Sequence, residues 1–314
     1  MLTVIGEALI DEVVRMGQDP VPHVGGSPMN VAVGLARLGH PVQFLGRFGQ
    51  DAYGDMVAGH LHANGVMVPL AADSQATSVA RAVLDADGAA TYEFDLDWSL
   101  PELGAGAAGT APNYMLAATT LLHTGSIATM LAPGAAQVLD AVVQAHPHAT
   151  IAYDPNCRPS IIADVSYARD QAEKFVRLAD VVKASDEDLA WLYPGVDPKE
   201  SARAWLATGG SEGPAIVVVT QGGDGPWAVC AAGEVSCAVP PIRVADTVGA
   251  GDSFMAALLS TLVDRELDGA QRRSELRSMS TDTLSEVIGY AARAAAITVS
   301  RAGANPPSRA ELQD

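Results

Sequence analysis

The chain has 314 residues, and 48% of them are hydrophobic, which is enough to fill a large core in one α/β domain or in a core domain with a small appendage. The formal net charge of −18 argues against nucleic acid and anionic membrane surfaces as partners, because both repel an acidic protein. No signal peptide or transmembrane helix is expected, since no basic segment precedes the first apolar run and no uncharged apolar run reaches about 18 residues. Three widely spaced cysteines with no Cys-x-x-Cys pair favour free thiols, so we expect a soluble, cytoplasmic protein.

Short apolar runs alternate with longer helix-like segments along most of the chain. This alternation predicts a doubly wound α/β sheet, in which helices cover both faces of buried parallel strands. The predicted strands are residues 2–5, 42–45, 121–123, 150–153, 181–183 and 215–220, and the predicted helices include residues 30–38, 54–63, 134–145 and 171–178.

Two segments depart from this alternation and have the period of two that half-exposed strands show. They are residues 9–24 and 76–98, and an Asp-Gly pair at 87–88 in the second segment is a hairpin turn signal. We therefore expect these two segments to form a small β lid outside the main sheet. The core domain would then comprise residues 1–8, 25–75 and 99–314.

Gly25 and Gly26 precede the first predicted helix, and Asn30 follows one helical turn later. Adjacent glycines let the backbone approach a ligand closely, and an Asn side chain offers both a donor and an acceptor, as sugar hydroxyls require. Asp11 follows the first strand, where a carboxylate can accept hydrogen bonds from two vicinal hydroxyls. By themselves, however, these residues also fit an ordinary glycine-rich helix start and a solvated charge.

Polar residues also follow the strands in the middle of the chain. Arg158 ends an Asp-Pro-Asn-x-Arg string and is a candidate for contacting a substrate or phosphate, with a structural salt bridge as the alternative. Ser185 and Asp188 form a Ser-x-x-Asp pattern before an apolar run, which is also typical of plain helix capping.

Residues 246–254 read DTVGAGDSF and run directly into an apolar stretch. Gly249, Ala250 and Gly251 leave backbone N–H groups uncovered where a helix begins, and a helix N-terminus attracts an anion such as a phosphate. Asp252 is the next residue, and at this position its carboxylate could act as a general base that takes a proton from an attacking hydroxyl. A capped turn is the simpler explanation for Gly-x-Gly-Asp alone, but the whole string is far more specific.

This string resembles the second signature of the ribokinase-like (PfkB) carbohydrate kinase family, and residues 25–39, GGSPMNVAVGLARLG, resemble the first. The Asp-Pro-Asn-x-Arg string resembles the fructokinase-like branch. The resemblance implies a three-layer α/β/α sandwich with a small β-sheet lid. It also implies ATP-dependent phosphorylation of a sugar primary alcohol, with Mg²⁺ on the nucleotide.

The resemblance assigns roles to particular residues. Asp252 is the implied base, and the amides of Gly249, Ala250 and Gly251 stabilise charge on the transferred phosphoryl group. The implied sugar-binding residues are Asp11, Gly25, Gly26, Asn30 and Arg158.

The resemblance also implies an ATP site and a possible K⁺ site. Local positive potential is needed for ATP, because the chain as a whole is strongly acidic. Asp188 is shorter than the family's Glu, and Ala292 stands where many members place Asn or His beside adenine. The implied nucleotide-binding residues are Ser185, Asp188, Thr220, Gly222, Gly249 and Gly251. The implied K⁺ ligands are oxygen atoms of Asp246, Val248, Thr298, Arg301 and Gly303.

The lid segment 92–97 reads YEFDLD, with three acidic residues and no basic one. Kinases of 2-keto-3-deoxygluconate typically place an Arg in this segment for the carboxylate of a sugar acid. We therefore expect Asp95 and Asp97 to repel acidic sugars, which favours a neutral sugar and fructose first. Fructokinases also often carry an Arg near this point, so 2-keto-3-deoxygluconate, ribose and nucleosides remain alternatives. A regulator without catalysis is disfavoured because Asp252 and the small residues before it are intact.

Apolar lid residues such as Val79, Val83, Leu84 and Phe94 need a cover, because small isolated sheets are marginal in water. The family's usual cover is the lid of a second, identical chain, so the resemblance implies a homodimer through the lids. A monomer whose lid closes only onto its own site is the alternative.

Overall fold

The computed structural model describes residues 1–15, 19–84, 90–100, 103, 114–210 and 212–313. Within these ranges the chain forms an eight-stranded main sheet and a separate four-stranded lid sheet. The strands are β1 (Leu2–Ile5), β2 (Leu9–Arg15), β3 (Val21–Gly25), β4 (Val42–Leu45), β5 (Val79–Leu84), β6 (Ala90–Asp95), β7 (Leu121–Gly125), β8 (Thr150–Asp154), β9 (Val181–Ser185), β10 (Ile216–Thr220), β11 (Pro226–Cys230) and β12 (Gly233–Ser236). The α-helices in the same ranges are α1 (Ser27–Arg37), α2 (Ala52–Ala63), α3 (Gly134–Ala145), α4 (Val165–Val176), α5 (Asp186–Leu192), α6 (Pro198–Leu206), α7 (Ala250–Asp264), α8 (Arg273–Arg277), α9 (Thr281–Val299) and α10 (Arg309–Gln313).

The main sheet is mostly parallel. Its neighbouring strands β10, β9, β8, β7, β1 and β4 all run in the same direction, and β11 and β12 extend one edge antiparallel. Strands covered on both faces read as continuous apolar runs, which is why the sequence located the six parallel strands to within two residues. The predicted α/β sandwich with a small lid is confirmed.

Helices pack on both faces of the main sheet and form two apolar layers. Neighbouring strand residues point into opposite layers, so Val4 belongs to the layer that contains apolar residues of α1, α7 and α9, while Ile5 belongs to the layer that contains apolar residues of α3, α4, α5 and α6. The helix expected at residues 171–178 begins earlier, at Val165, because Asp164 caps it by accepting from the amides of Ser166 and Tyr167. Within the described ranges, no helix combines the length and apolar character needed to cross a bilayer.

The lid sheet contains strands from both segments that departed from the alternation. Its order is β3-β2-β5-β6, with β2 and β5 parallel and the outer pairs antiparallel. The predicted turn at 87–88 and the side chain of Leu84 lie outside the described part of the chain. Val79, which was expected to need a cover, is only 4% exposed, because it packs into the core of its own chain. That expectation was wrong for Val79.

Arg47 joins the lid sheet to the core where the chain crosses between them. Its buried guanidinium donates to both carboxylate oxygens of Asp73, at 2.7 and 2.9 Å. It also donates to the carbonyl oxygens of Ala76 and Asp97, at 3.1 and 3.2 Å. The segment that enters β5 and the segment that leaves β6 are therefore held by one side chain.

Candidate active site

A cavity of ≈ 630 Å³ lies between the lid sheet and the edge of the main sheet where the parallel strands end. Ligands of open α/β sheets bind at this edge, because the loops that leave the strands converge there. Nine of the predicted site residues line the cavity, namely Asp11, Gly26, Asn30, Arg158 and residues 248–252. The structure thus brings together residues that lie far apart in the sequence.

Asp252 is held in one orientation by two donors from α1. Its Oδ1 accepts from the Ser27 hydroxyl at 2.7 Å, and its Oδ2 accepts from Asn30 Nδ2 at 2.8 Å. The residue is 8% exposed and lies in the first turn of α7. Asn30, predicted to bind sugar, therefore also positions the predicted base, and Ser27 is a functional candidate that the sequence analysis missed. Its place beside Asn30 in the first signature was the available signal.

The loop before α7 requires glycine for a geometric reason. Gly249 has φ +74°, and a Cβ atom there would lie 2.6 Å from the Cβ of Ala304. Its left-handed backbone begins a 15-residue helix whose first amides have no intrahelical partner. These amides and the helix dipole make residues 249–251 suited to an anion.

Asp246 ties this loop to the loop after α9. Its Oδ2 accepts from the amide of Gly303 at 2.8 Å, and its Oδ1 accepts from the amide of Val248 at 3.1 Å. These bonds from Gly303 and Val248 lower the pKa of Asp246, because they stabilise the charged carboxylate.

Glu7 is a second carboxyl group that the sequence analysis did not assign to the site. It lines the cavity, and its Oε2 accepts from the amide of Ala128 at 3.2 Å. Burial raises the pKa of Glu7 to about 7, although a bond from Ser126 and the charge of Arg158 oppose the rise. Glu7 therefore carries only part of a negative charge at neutral pH.

Gly25 and Gly26 have different roles in the structure. A Cβ atom on Gly25 would lie 2.1 Å from Asp11 Oδ2, so Gly25 makes room for the Asp11 side chain but is not among the cavity-lining residues. Gly26 lines the cavity with φ +119°, and a Cβ atom there would lie 2.4 Å from the carbonyl oxygen of Glu7. Gly25 thus contributes to the site through Asp11.

Arg158 lines the cavity from the loop after β8. Its Nη1 donates to Asn156 Oδ1 at 2.6 Å and to the carbonyl oxygen of Cys157 at 2.9 Å. Asn156 itself has φ +37°, a left-handed conformation that Asn tolerates better than most residues. The guanidinium is thereby held by its own loop, and its exposed side faces the cavity.

Ser185 and Asp188 form the capping box of α5, so the structure bears out the alternative interpretation of this pattern. The Asp188 carboxylate accepts from the amides of Cys157, at 2.7 Å, and Ser185, at 2.9 Å. Thr220 ends β10, and Gly222, with φ +49°, begins the short 3₁₀ turn after it. None of these four residues lines the cavity, and their contacts with ATP stay a prediction.

The side chains of the possible K⁺ site are already engaged. The Thr298 hydroxyl lies within hydrogen-bond distance of both Ser253 Oγ, at 2.8 Å, and the carbonyl oxygen of Ala294, at 3.0 Å, and Arg301 pairs with Glu311. In the part of the chain that the structure describes, no cluster of three or more His, Cys, Asp or Glu residues could hold a metal ion. A K⁺ site here would therefore depend on backbone carbonyl oxygens, and it stays a prediction.

The acidic residues of lid segment 92–97 do not line the cavity, and the argument from Asp95 and Asp97 was wrong. Tyr92 and Phe94 line it instead. Side chains alternate along a strand, so Tyr92 and Phe94 point toward the cavity and Glu93 and Asp95 point away from it. Asp97 contributes its backbone carbonyl oxygen to Arg47.

A family model described as pfkB family carbohydrate kinase matches residues 1–311. Probable fructokinase-4 of Arabidopsis thaliana is 31% identical, over 100% of this chain and 95% of that protein. A fructokinase with bound ATP from Xylella fastidiosa has a TM-score of 0.86 and 24% identity, covering 99% of this chain and 96% of that one. A fructokinase double mutant from Vibrio cholerae, in a form with bound fructose, ADP and potassium, has a TM-score of 0.76 and 23% identity, with 99% and 96% covered. The predicted resemblance is confirmed: the chain belongs to the pfkB family of carbohydrate kinases.

Proposed function

We propose that this protein transfers the γ-phosphoryl group of ATP to a primary hydroxyl of a neutral sugar, with fructose as the first candidate. The observation that carries the proposal is the position of Asp252, fixed by Ser27 and Asn30 directly beside residues 249–251, which line the cavity at the N-terminus of α7. A base beside an anion site is what phosphoryl transfer to an alcohol requires. The fructokinases among the relatives support both the reaction and the sugar.

In the proposed reaction, Asp252 accepts the proton of the sugar hydroxyl while the oxygen of that hydroxyl attacks the γ-phosphorus. The new P–O bond forms while the bond to the β-phosphate oxygen breaks, and ADP leaves. The amides of residues 249–251 stabilise the negative charge on the group in transfer. Asp11, Asn30 and Arg158 orient the sugar, because their polar groups line the same cavity.

Mg²⁺ fits this site only if the nucleotide supplies most of its ligands. Mg²⁺ commonly keeps several waters and binds substrate phosphates through one or two carboxylates, and no metal-binding cluster is present among the described residues. When bound, the ion would neutralise part of the charge of ATP. Asp188 stands where the family has a Glu, and it is the carboxylate that would assist Mg²⁺ through a water molecule.

The charged residues that line the cavity favour a neutral sugar over an acidic one. The lining includes the carboxyl groups of Glu7, Asp11 and Asp252, whereas Arg158 is the one cation among the lining residues that the structure describes. This balance disfavours a sugar acid. Arg158 is also the observation that favours the alternative, because a guanidinium binds a substrate carboxylate well.

We expect kcat/KM for fructose to exceed that for 2-keto-3-deoxygluconate by at least about tenfold, which corresponds to about 1.4 kcal/mol of discrimination. Asp11→Asn removes a charge from the cavity and should narrow this ratio, while Asp95→Asn, outside the cavity, should leave it unchanged. A coupled assay of ADP release with neutral sugars, sugar acids and nucleosides measures these ratios. Equal or greater wild-type activity on the sugar acid would contradict the neutral-sugar proposal.

We also propose a homodimer through the lid sheets. Val21 and Tyr92 are 44% and 59% exposed on this sheet, and a two-fold pairing would cover them. Light scattering at micromolar concentration should give twice the chain mass, and Val21→Asp should lower it. Val143→Asp, at a residue 53% exposed on α3, is the matched control and should leave the dimer intact. A fully active monomer would rule the dimer out.

A further inference from the structure

Lys183 is a buried cation beneath the anion loop that the sequence analysis did not single out. It lies on β9 with a side chain only 4% exposed, and its Nζ donates to Asp154 Oδ2 at 2.7 Å. A Cβ atom on Gly251 would lie 3.0 Å from the same Nζ. The ammonium group is therefore directly under the first turn of α7, which also carries Asp252.

The groups that face this ammonium group are mostly acidic. Burial lowers the pKa of Lys183, but the charges of Asp154 on β8, Asp188 on α5 and Asp252 on α7 raise it, and the net direction is upward. His123 on β7 faces it as well. Burial and the charge of Lys183 lower the pKa of His123 to about 3, so that its ring stays neutral. Burial raises the pKa of Asp154 to about 6, against the lowering by Lys183, so Asp154 is mostly ionised at neutral pH. One charged ammonium group thus stands among three carboxyl groups.

These carboxylates present an electrostatic problem for a kinase. A phosphate that approaches residues 249–251 comes close to Asp252 and enters the field of the carboxylates behind it, in a chain whose net charge is −18. Electrostatic repulsion is strong in such a partly desolvated region. Of the three lysines in the sequence, Lys183 is the buried one.

Lys183 also contacts the sugar side of the site through Asp154. The Asp154 Oδ1 accepts from the amide of Asn156 at 3.2 Å, and Asn156 in turn holds Arg158. Both Asn156 and Arg158 line the cavity. The Lys183–Asp154 pair therefore lies between the loop proposed to bind phosphate and the loop proposed to orient the sugar.

We propose that Lys183 is a positioning residue for nucleotide binding, whose buried charge offsets the carboxylates beneath α7 and so lets residues 249–251 accept the phosphates of ATP. The inference rests on the proposed kinase function. It predicts that nucleotide affinity follows the net charge of the cluster formed by Lys183, Asp154, Asp188 and Asp252. A role in packing alone predicts that affinity follows the loss of contacts instead.

Lys183→Met removes the charge and keeps much of the side chain. We expect the Kd for ADP with Mg²⁺, measured by calorimetry, to rise about tenfold or more through repulsion by the unbalanced carboxylates. The KM for ATP should rise similarly, because ATP presents its phosphates to the same residues. The KM for the sugar should change much less. Lys174→Met, on the exposed face of α4, is the matched control and should change none of these quantities.

Two further variants separate charge from packing. Lys183→Met combined with Asp154→Asn restores the net charge of the wild-type cluster and should restore most of the ADP affinity. Asp154→Asn alone makes the cluster less negative and should bind ADP at least as tightly as the wild type. Both variants remain informative if the single Lys183→Met protein does not fold.

An unchanged Kd for ADP in folded Lys183→Met protein would overturn the proposal. A double variant that has lost ADP affinity about tenfold, or an Asp154→Asn protein that binds ADP more weakly than the wild type, would overturn it as well. A wild-type protein that binds ADP but phosphorylates no sugar would contradict the proposed function instead. The ADP affinities of the variant series would still decide the role of Lys183.

Discussion

Asp252→Asn is expected to lower kcat by about 10²–10⁴-fold, because removal of a positioned general base costs this much. The fold and the binding of sugar and ADP should be retained. The new amide keeps the shape of the carboxylate, and the Asn30 side chain can turn to offer its oxygen in place of its nitrogen. Turnover in a coupled ADP assay, with calorimetric Kd values for both ligands, measures the effect.

Ser27→Ala is the control that separates the base from its positioning. It removes the bond to Asp252 Oδ1 and leaves the carboxylate in place. We expect a kcat loss of about tenfold or less, as for the loss of one hydrogen bond of ordinary strength. Near-normal turnover by Asp252→Asn would overturn the assignment of Asp252 as the base.

Gly249→Ala is expected to lower kcat by about 10²-fold, since displacement of catalytic groups by about 1 Å can cost that much. The left-handed backbone at φ +74° strains any other residue, and the added Cβ would lie 2.6 Å from Ala304. The loop that presents the amides must therefore shift. Steady-state kinetics with ATP and fructose measures the loss, and thermal unfolding measures the accompanying strain.

Gly65→Ala supplies a matched control for backbone strain. Gly65 has φ +72°, close to that of Gly249, but nothing lies within 4 Å of its added Cβ. Both variants should lose about 1–2 kcal/mol of stability from the left-handed conformation, and only Gly249→Ala should lose activity as well. Equal activity losses in the two variants would show that the contact with Ala304 has no catalytic consequence.

The sequence by itself determined the order of the elements and the chemistry of the anion loop. Buried parallel strands such as β1 and β10 are continuous apolar runs, so their signal is local. The string at 246–254 is equally local, because small residues and a carboxylate at a helix start are adjacent in the chain. The capping box at Ser185 and Asp188 was visible for the same reason.

Only the tertiary structure decided which side chains meet and which face of a strand reaches the cavity. Ser27 and Asn30 bind Asp252 across more than 220 residues, and Lys183 reaches Gly251 from a different element. The lid shows the same limit: alternation predicted strands within residues 76–98, but packing against the core decided that Phe94 and not Asp95 faces the cavity. A strand pattern leaves its two faces equivalent until another surface covers one of them, so those assignments required the packed chain.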